Sequence, residues 1–233
     1  MKINLHRFLV SRLWGTLILL SFFSYTAEAQ LIQIGTGTST QSTTGISPYG
    51  CLYEDGKVQY LIRKSELNAL GINTEGNFSS LAFDCVTPPG QSLSGFSIRM
   101  SHTTLTTITG FVNTTSQVVY TTTSTMPTTG WNTYNFSSNF MYNNVDNILI
   151  QVCFDNSSWT STGGVRATTT TFTSAHGTYM DGGVGCGTSS LSFSATATTL
   201  RPNMRMMFAP KQQAPEATHT YSHPLAILHT IKA

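Results

Sequence analysis

Through much of the chain, apolar side chains return at every second position. Leu81, Phe83 and Cys85 flank Ala82 and Asp84, while Phe96, Ile98 and Met100 flank Ser97 and Arg99. Ile148, Ile150, Val152 and Phe154 make the longest such run. A period of two lines up one face of a strand and does not match an amphipathic helix, whose apolar positions recur every three to four residues. Turn formers break the alternation at Pro88-Pro89-Gly90, Pro127-Thr128-Thr129-Gly130, Asn143-Asn144 and Asp181-Gly182-Gly183. Short alternating strands so punctuated predict an all-β, antiparallel two-sheet sandwich, each sheet burying one face.

Composition supports the same reading. Ser and Thr together make about 27% of the 233 residues, and Thr suits strands better than helices. A strand is expected at Val58–Ile62, and one short helix near residues 65–70, with Ser65 as N-cap and Gly71 as its stop. Residues 30–209 suffice for one sandwich domain, with no linker dividing them. The remaining 210–233, with three prolines and three of the six histidines, lack the Thr/Gly/aromatic texture and are expected to be disordered or loosely packed.

Lys2, Arg7 and Arg12 precede or border the apolar run 13–23, and Ala27-Glu28-Ala29 follows as an A-x-A site. This order is that of a secretory signal peptide over residues 1–29, placing the protein outside the cell or at its surface. The apolar run is shorter than the roughly 18 residues that a membrane-spanning helix requires. From Gln30 onward nine basic and nine acidic side chains balance, so the net charge of +2 belongs to the signal. A neutral surface argues against nucleic acid as a partner and leaves proteins or glycans, met by a monomeric module.

Cys51, Cys85, Cys153 and Cys186 all follow the signal. An even number in an exported chain implies two disulfides, for which three pairings exist. The sequential pairing, Cys51–Cys85 and Cys153–Cys186, closes two short loops, each contributing about 3 kcal/mol in the chain-entropy picture. Zinc is the rival reading, but no C-x-x-C pair is present.

The stretches GTGTST (35–40), QYLIRKSELNALGI (59–72), SLAFD (80–84), LSGFSIRM (93–100), TTGWNTYNF (128–136), NILIQVCFDNSSWTS (147–161) and RPNMRM (201–206) resemble an N-terminal module in secreted surface proteins of Bacteroidetes-type bacteria. The resemblance covers nearly all of 31–208 and implies a jelly-roll-like sandwich. Such proteins commonly continue into fibronectin-type or PKD-type repeats and a type IX secretion sorting domain. Residues 210–233 show neither pattern, which raises the expectation of a truncated or shifted reading frame. Cys51 and Cys85 stand where the resemblance implies aromatic or aliphatic residues, which favours their pairing with each other.

No G-x-S-x-G, H-E-x-x-H, P-loop or dinucleotide fingerprint is present. His102 and His176 read as surface histidines, Glu54-Asp55-Gly56 as a turn and Glu66 as first-turn helix chemistry, so neither catalysis nor a cofactor is expected. A hydrolase with an unrecognised site ranks last. Calcium would find oxygens around Asn143 and Asp146 and at Asp181, although these residues are also ordinary turn formers. Trp159, Trp131, Tyr134 and Tyr179 could stack on sugar rings, although packing in the core is the favoured reading for each, and for Trp131 above all. The leading expectation is therefore an exported, non-catalytic surface or adhesion module acting as a structural or interaction domain, with a carbohydrate-binding module second.

Overall fold

A computed structural model describes residues 28–212. The expected signal segment lies outside the described residues apart from its last two positions, as does the tail beyond Gln212. The strands are β1 (Gln30–Ile34), β2 (Ser39–Gln41), β3 (Asp55–Ile62), β4 (Gly76–Thr87), β5 (Leu93–Ser94), β6 (Ser97–Thr103), β7 (Gln117–Thr121), β8 (Ser124–Thr125), β9 (Gly130–Tyr142), β10 (Asn147–Asp155), β11 (Gly164–Thr169), β12 (Ala175–Met180), β13 (Phe193–Ser194), β14 (Leu200–Pro202) and β15 (Met204–Pro210). One helix, α1 (Lys64–Ala69), follows β3. Among the described residues, no helix is long and apolar enough to cross a membrane.

The chain forms the expected all-β sandwich, with every strand pairing antiparallel. In sheet I, β9 lies on one edge of β4, while β15 and β11 share the other; β1 flanks β15, and β2 and β14 flank β11. Sheet II runs β13-β12-β3-β10-β6-β7, and β5 and β8 form a small separate ribbon. The alternating residues meet between the sheets. From sheet I come Leu81, Phe83, Met204 and Met206; from sheet II come Val58, Tyr60, Ile98, Met100, Ile150 and Val152, all buried in one core. Tyr60 faces Phe83 across the gap, with ring centroids 5.9 Å apart. Its hydroxyl donates to the Ile46 carbonyl at 2.7 Å, so the polar tip of this fully buried ring is satisfied.

The helix differs in detail from expectation. Arg63, not Ser65, is the N-cap: its N–H donates to the Glu66 carboxylate at 2.9 Å. Gly71 ends the helix with φ +86°, a backbone state that side chains with a Cβ disfavour. Glu66 does a second job, receiving the Arg201 guanidinium in a forked pair at 2.6 and 3.0 Å. Arg201, only 3% exposed, also donates to the Leu61 carbonyl, joining β14 of sheet I to β3 of sheet II. Glu54-Asp55-Gly56 is also not the turn it resembles, because Asp55 and Gly56 already belong to β3.

Cys153 and Cys186 form a disulfide, with Cα atoms 5.3 Å apart. The second expected bridge is not formed: Cys51 and Cys85 are both buried free thiols. Their environments differ. Cys85 lies on the core face of β4 near the hydroxyls of Tyr49 and Tyr134, whereas Cys51 sits in the turn before β3 against the Asn156 side chain. Burial pushes the Cys51 thiol up to about 12, opposed by Asn156, and the Cys85 thiol up to about 11, with Asp84 adding to the rise. Thiols held protonated this way are inert.

Two outcomes follow. Thiol titration of the unreduced protein should find no reactive thiol when native and two after denaturation; none after denaturation would mean that a second bridge exists. Glu66→Ala should cost about 3 kcal/mol in urea unfolding, because it leaves a buried guanidinium without its anion. A loss within the range of an exposed ion pair, below about 1 kcal/mol, would show that Arg201 does not depend on this partner.

Candidate functional site

The middle of sheet II is buried on both sides, while its edge strands β7 and β13 are largely exposed. Along β3, Val58, Tyr60 and Ile62 point into the sandwich, so Asp55, Lys57, Gln59 and Leu61 point outward. Even so, every residue of β3 is buried. Register places matching rows beside them: Thr178, Lys57, Cys153 and Ser97 in one; His176, Gln59, Gln151 and Arg99 in the next; Leu61, Leu149 and Ser101 in a third.

Two loops roof this face. The loop between β6 and β7 is anchored by Ile108, which packs with Leu61 and Leu149 while Val112 leans against them. Gln59 then clasps the backbone of Val112, accepting its N–H and donating to its carbonyl, both at 2.8 Å. The loop between β12 and β13 is tied by the Cys153–Cys186 bond and by Lys57, whose Nζ donates to the carbonyls of Gly187 and Ser189 at 2.6 and 2.7 Å. Burial and then the Arg99 charge lower the Lys57 pKa to about 8.

Between the loops lies a pocket of about 390 Å³. Arg99 and Gln151 are on its floor, while Phe111, Asn113, Thr114 and Thr188 are among its walls. Gln59 donates to the Gln151 Oε1 at 3.1 Å, which orients the Gln151 amide so that its NH₂ group is the one left over. Arg99 makes one long bond, from Nη2 to the Cys186 carbonyl at 3.4 Å, and its buried Nε has no partner. The floor is thus rich in donors, with a flat ring and several hydroxyl and amide groups around it. Ser101 Oγ and His176 Nδ1, on the same outer face, are also buried without partners.

The residues singled out from sequence are not gathered into one site. Tyr134 is a core residue, 4% exposed, sharing its hydroxyl with that of Tyr49 at 3.0 Å and packing on Phe96; a sandwich interior has no room for a sugar there. Trp131 is not core: it lies half-buried on the outer face of sheet I opposite Asp84, with the Arg205 guanidinium 4.1 Å from its ring centre. Trp159 stands in the loop between β10 and β11, 63% exposed. Tyr179 packs at the sheet II edge against Tyr53 and Phe193, with centroids 4.5 and 5.9 Å away. His176 is buried, not a surface histidine, and His102 is half-buried against Phe140. Burial lowers the pKa of both.

Asn143 and Asp146 lie at one end of β10 and Asp181 at the other. The Asn143 amide donates to Asp146 at 2.7 Å, and Asp181 accepts the Glu54 N–H at 3.0 Å. Among the described residues, no three His, Cys, Asp or Glu side chains are arranged to hold a metal ion. No protein-family model, no curated protein and no solved structure matches the chain.

Sequence reading missed Arg99, Gln151, Phe111 and Asn113. A signal was present: Gln59, Arg99 and Gln151 each stand between two apolar neighbours and Lys57 stands beside Val58, and alternation puts each on its strand's outer face. Which strands are neighbours is a matter of topology, which alternation does not encode.

A second group of charges sits beyond Lys57. Asp55 and Asp155 face each other across β3 and β10. Asp55 Oδ2 accepts the Gly183 N–H at 2.6 Å, but its buried Oδ1 has no donor. Burial raises the Asp55 pKa from 3.8 to about 6; the Gly183 N–H opposes the rise, and the Asp155 carboxylate adds to it. The folded chain therefore holds this proton more tightly than the unfolded chain, and the stability so gained is present at low pH and lost as pH rises through about 6. Asp55→Asn should raise the melting temperature near pH 7.5 and leave it unchanged near pH 4. An equal shift at both would mean that the carboxyl charge is not the cause.

Proposed function

We propose that this chain is an exported, non-catalytic surface or adhesion module that binds a saccharide in the roofed pocket of sheet II. Export rests on the signal-like order of residues 1–29, and surface display on that order together with the resemblance of residues 31–208. The observation that carries binding is the pocket floor, where Arg99 and Gln151 present donors that no group of the described fold accepts. Arg99 Nε, buried without a partner, costs free energy as it stands, while the Gln151 NH₂ and the rest of the guanidinium offer donors that a hydroxyl-rich ligand can take. Phe111 gives an apolar ring face to such a ligand, while Asn113, Thr114 and Thr188 offer side-chain hydrogen bonds. At about 390 Å³ the pocket falls within the range of small-ligand sites.

The reading moves the saccharide site away from the exposed indole of Trp159 and onto sheet II. Purified protein should bind members of a glycan panel saturably. Phe111→Ala and Gln151→Ala should each weaken that binding about tenfold, the scale of one lost packing or hydrogen-bond contact. Trp159→Ala should leave it unchanged. Binding abolished by Trp159→Ala and indifferent to both pocket variants would place the site on the β10–β11 loop instead.

A further inference from the structure

Arg99 has more to offer than a hydroxyl requires. A guanidinium carries five donors in a planar fork and remains charged at any ordinary pH. Here one donor reaches a carbonyl at a long 3.4 Å, and Nε is buried without any partner. Neither of the two ion pairs among the described residues involves Arg99. Another cation on this face, Lys57, is held on the carbonyls of Gly187 and Ser189 and adds positive field without supplying an anion. Beside Arg99 in the register, Gln151 has its oxygen occupied by Gln59 and its NH₂ free. Two adjacent donor groups, one charged, therefore face a pocket whose lining contains no Asp or Glu.

We infer that the ligand is an anionic saccharide, whose oxyanion, a carboxylate or a sulfate, docks on the Arg99 fork and the Gln151 amide while its ring lies against Phe111. This rests on the saccharide reading above and names the class of sugar. Planar two-point recognition by arginine is the strong form of such a contact, and a partly desolvated setting strengthens it. A peptide carboxylate would satisfy the same fork, but it would leave the ring face of Phe111 and the hydroxyl and amide groups of Asn113, Thr114 and Thr188 without a use.

The test follows the arginine Nε–Hε resonances of the full, disulfide-bonded protein by NMR. The Arg99 signal is identified by its loss in Arg99→Lys. Glucuronate, glucose 6-sulfate, glucose, acetate, sulfate and a short acidic peptide are titrated separately. At least one charged sugar should shift the Arg99 signal saturably and bind at least tenfold more tightly than glucose, with an affinity that falls as salt is added. Whichever of the two charged sugars binds more tightly tells carboxylate from sulfate. Arg99→Gln should abolish the preference for the charged sugar while leaving residual sugar binding. The comparison of ligands on the unmodified protein remains decisive if that variant does not fold.

Glucose binding as tightly as both charged sugars, or a preference unchanged by Arg99→Gln, would overturn the oxyanion assignment while leaving the saccharide pocket standing. Acetate, sulfate or the peptide matching the charged sugars would overturn the saccharide part. No shift at any pocket resonance with any sugar would remove both.

Discussion

The burial of β3 on both faces is the constraint on which the architecture turns. Its inner residues are apolar and need only the opposite sheet. Its outer residues Asp55, Lys57 and Gln59 are each at most 1% exposed, and polar groups removed from water must find partners. Backbone supplies most of them. The loop after β6 meets Gln59, and the loop after β12 meets Lys57 through two carbonyls. The disulfide from Cys153 fastens the second loop in the row of Lys57, so a covalent tie and a charged hydrogen bond reinforce each other. The roof over sheet II is therefore part of the fold, and the pocket is the gap that its two halves leave.

Side chains of the stretches RPNMRM (201–206), GTGTST (35–40) and VCFDNSSWTS (152–161) hold corners of this architecture together. In RPNMRM, Arg201 joins the two sheets through Glu66 and Leu61, and the Asn203 amide donates to the Gly37 carbonyl at 2.8 Å. In GTGTST, Gly35 has φ +82°, and a Cβ there would lie 2.7 Å from Asn203 Oδ1, so close approach as well as backbone conformation demands glycine. In VCFDNSSWTS, Asn156 accepts the Ser94 N–H at 2.7 Å and steadies the short ribbon.

Aromatic residues show how little side-chain type says about role. Tyr134, Trp131, Trp159 and Tyr179 all offer rings, yet one closes the core, one lies against an arginine on the outer face of sheet I, one stands in solvent and one packs at an edge. Phe111 carries no local signal, because its surroundings Gly110 and Val112-Asn113 have no periodicity. It matters only because Ile108 and Val112 anchor its loop over Leu61 and Leu149.

Alternation alone determined the strands at residues 81–85, 96–100 and 148–154 and which face of each meets the other sheet, and hence a sandwich; that the outer faces of β3 and β10 are buried as well comes from the loops that cover them. Glycine and the helix-forming run at 65–70 set helix α1 to within a residue or two. The even cysteine count pointed to disulfides, but pairing depends on which thiols the fold brings together, and it brought together Cys153 and Cys186 only. The candidate site was legible merely as polar residues inside apolar strands. That Lys57, Gln59, Gln151 and Arg99 come to lie side by side under two loops follows from the strand order β12-β3-β10-β6, which joins residues almost a hundred positions apart. Contacts at that separation leave no local pattern in a chain, and tertiary structure alone decided them.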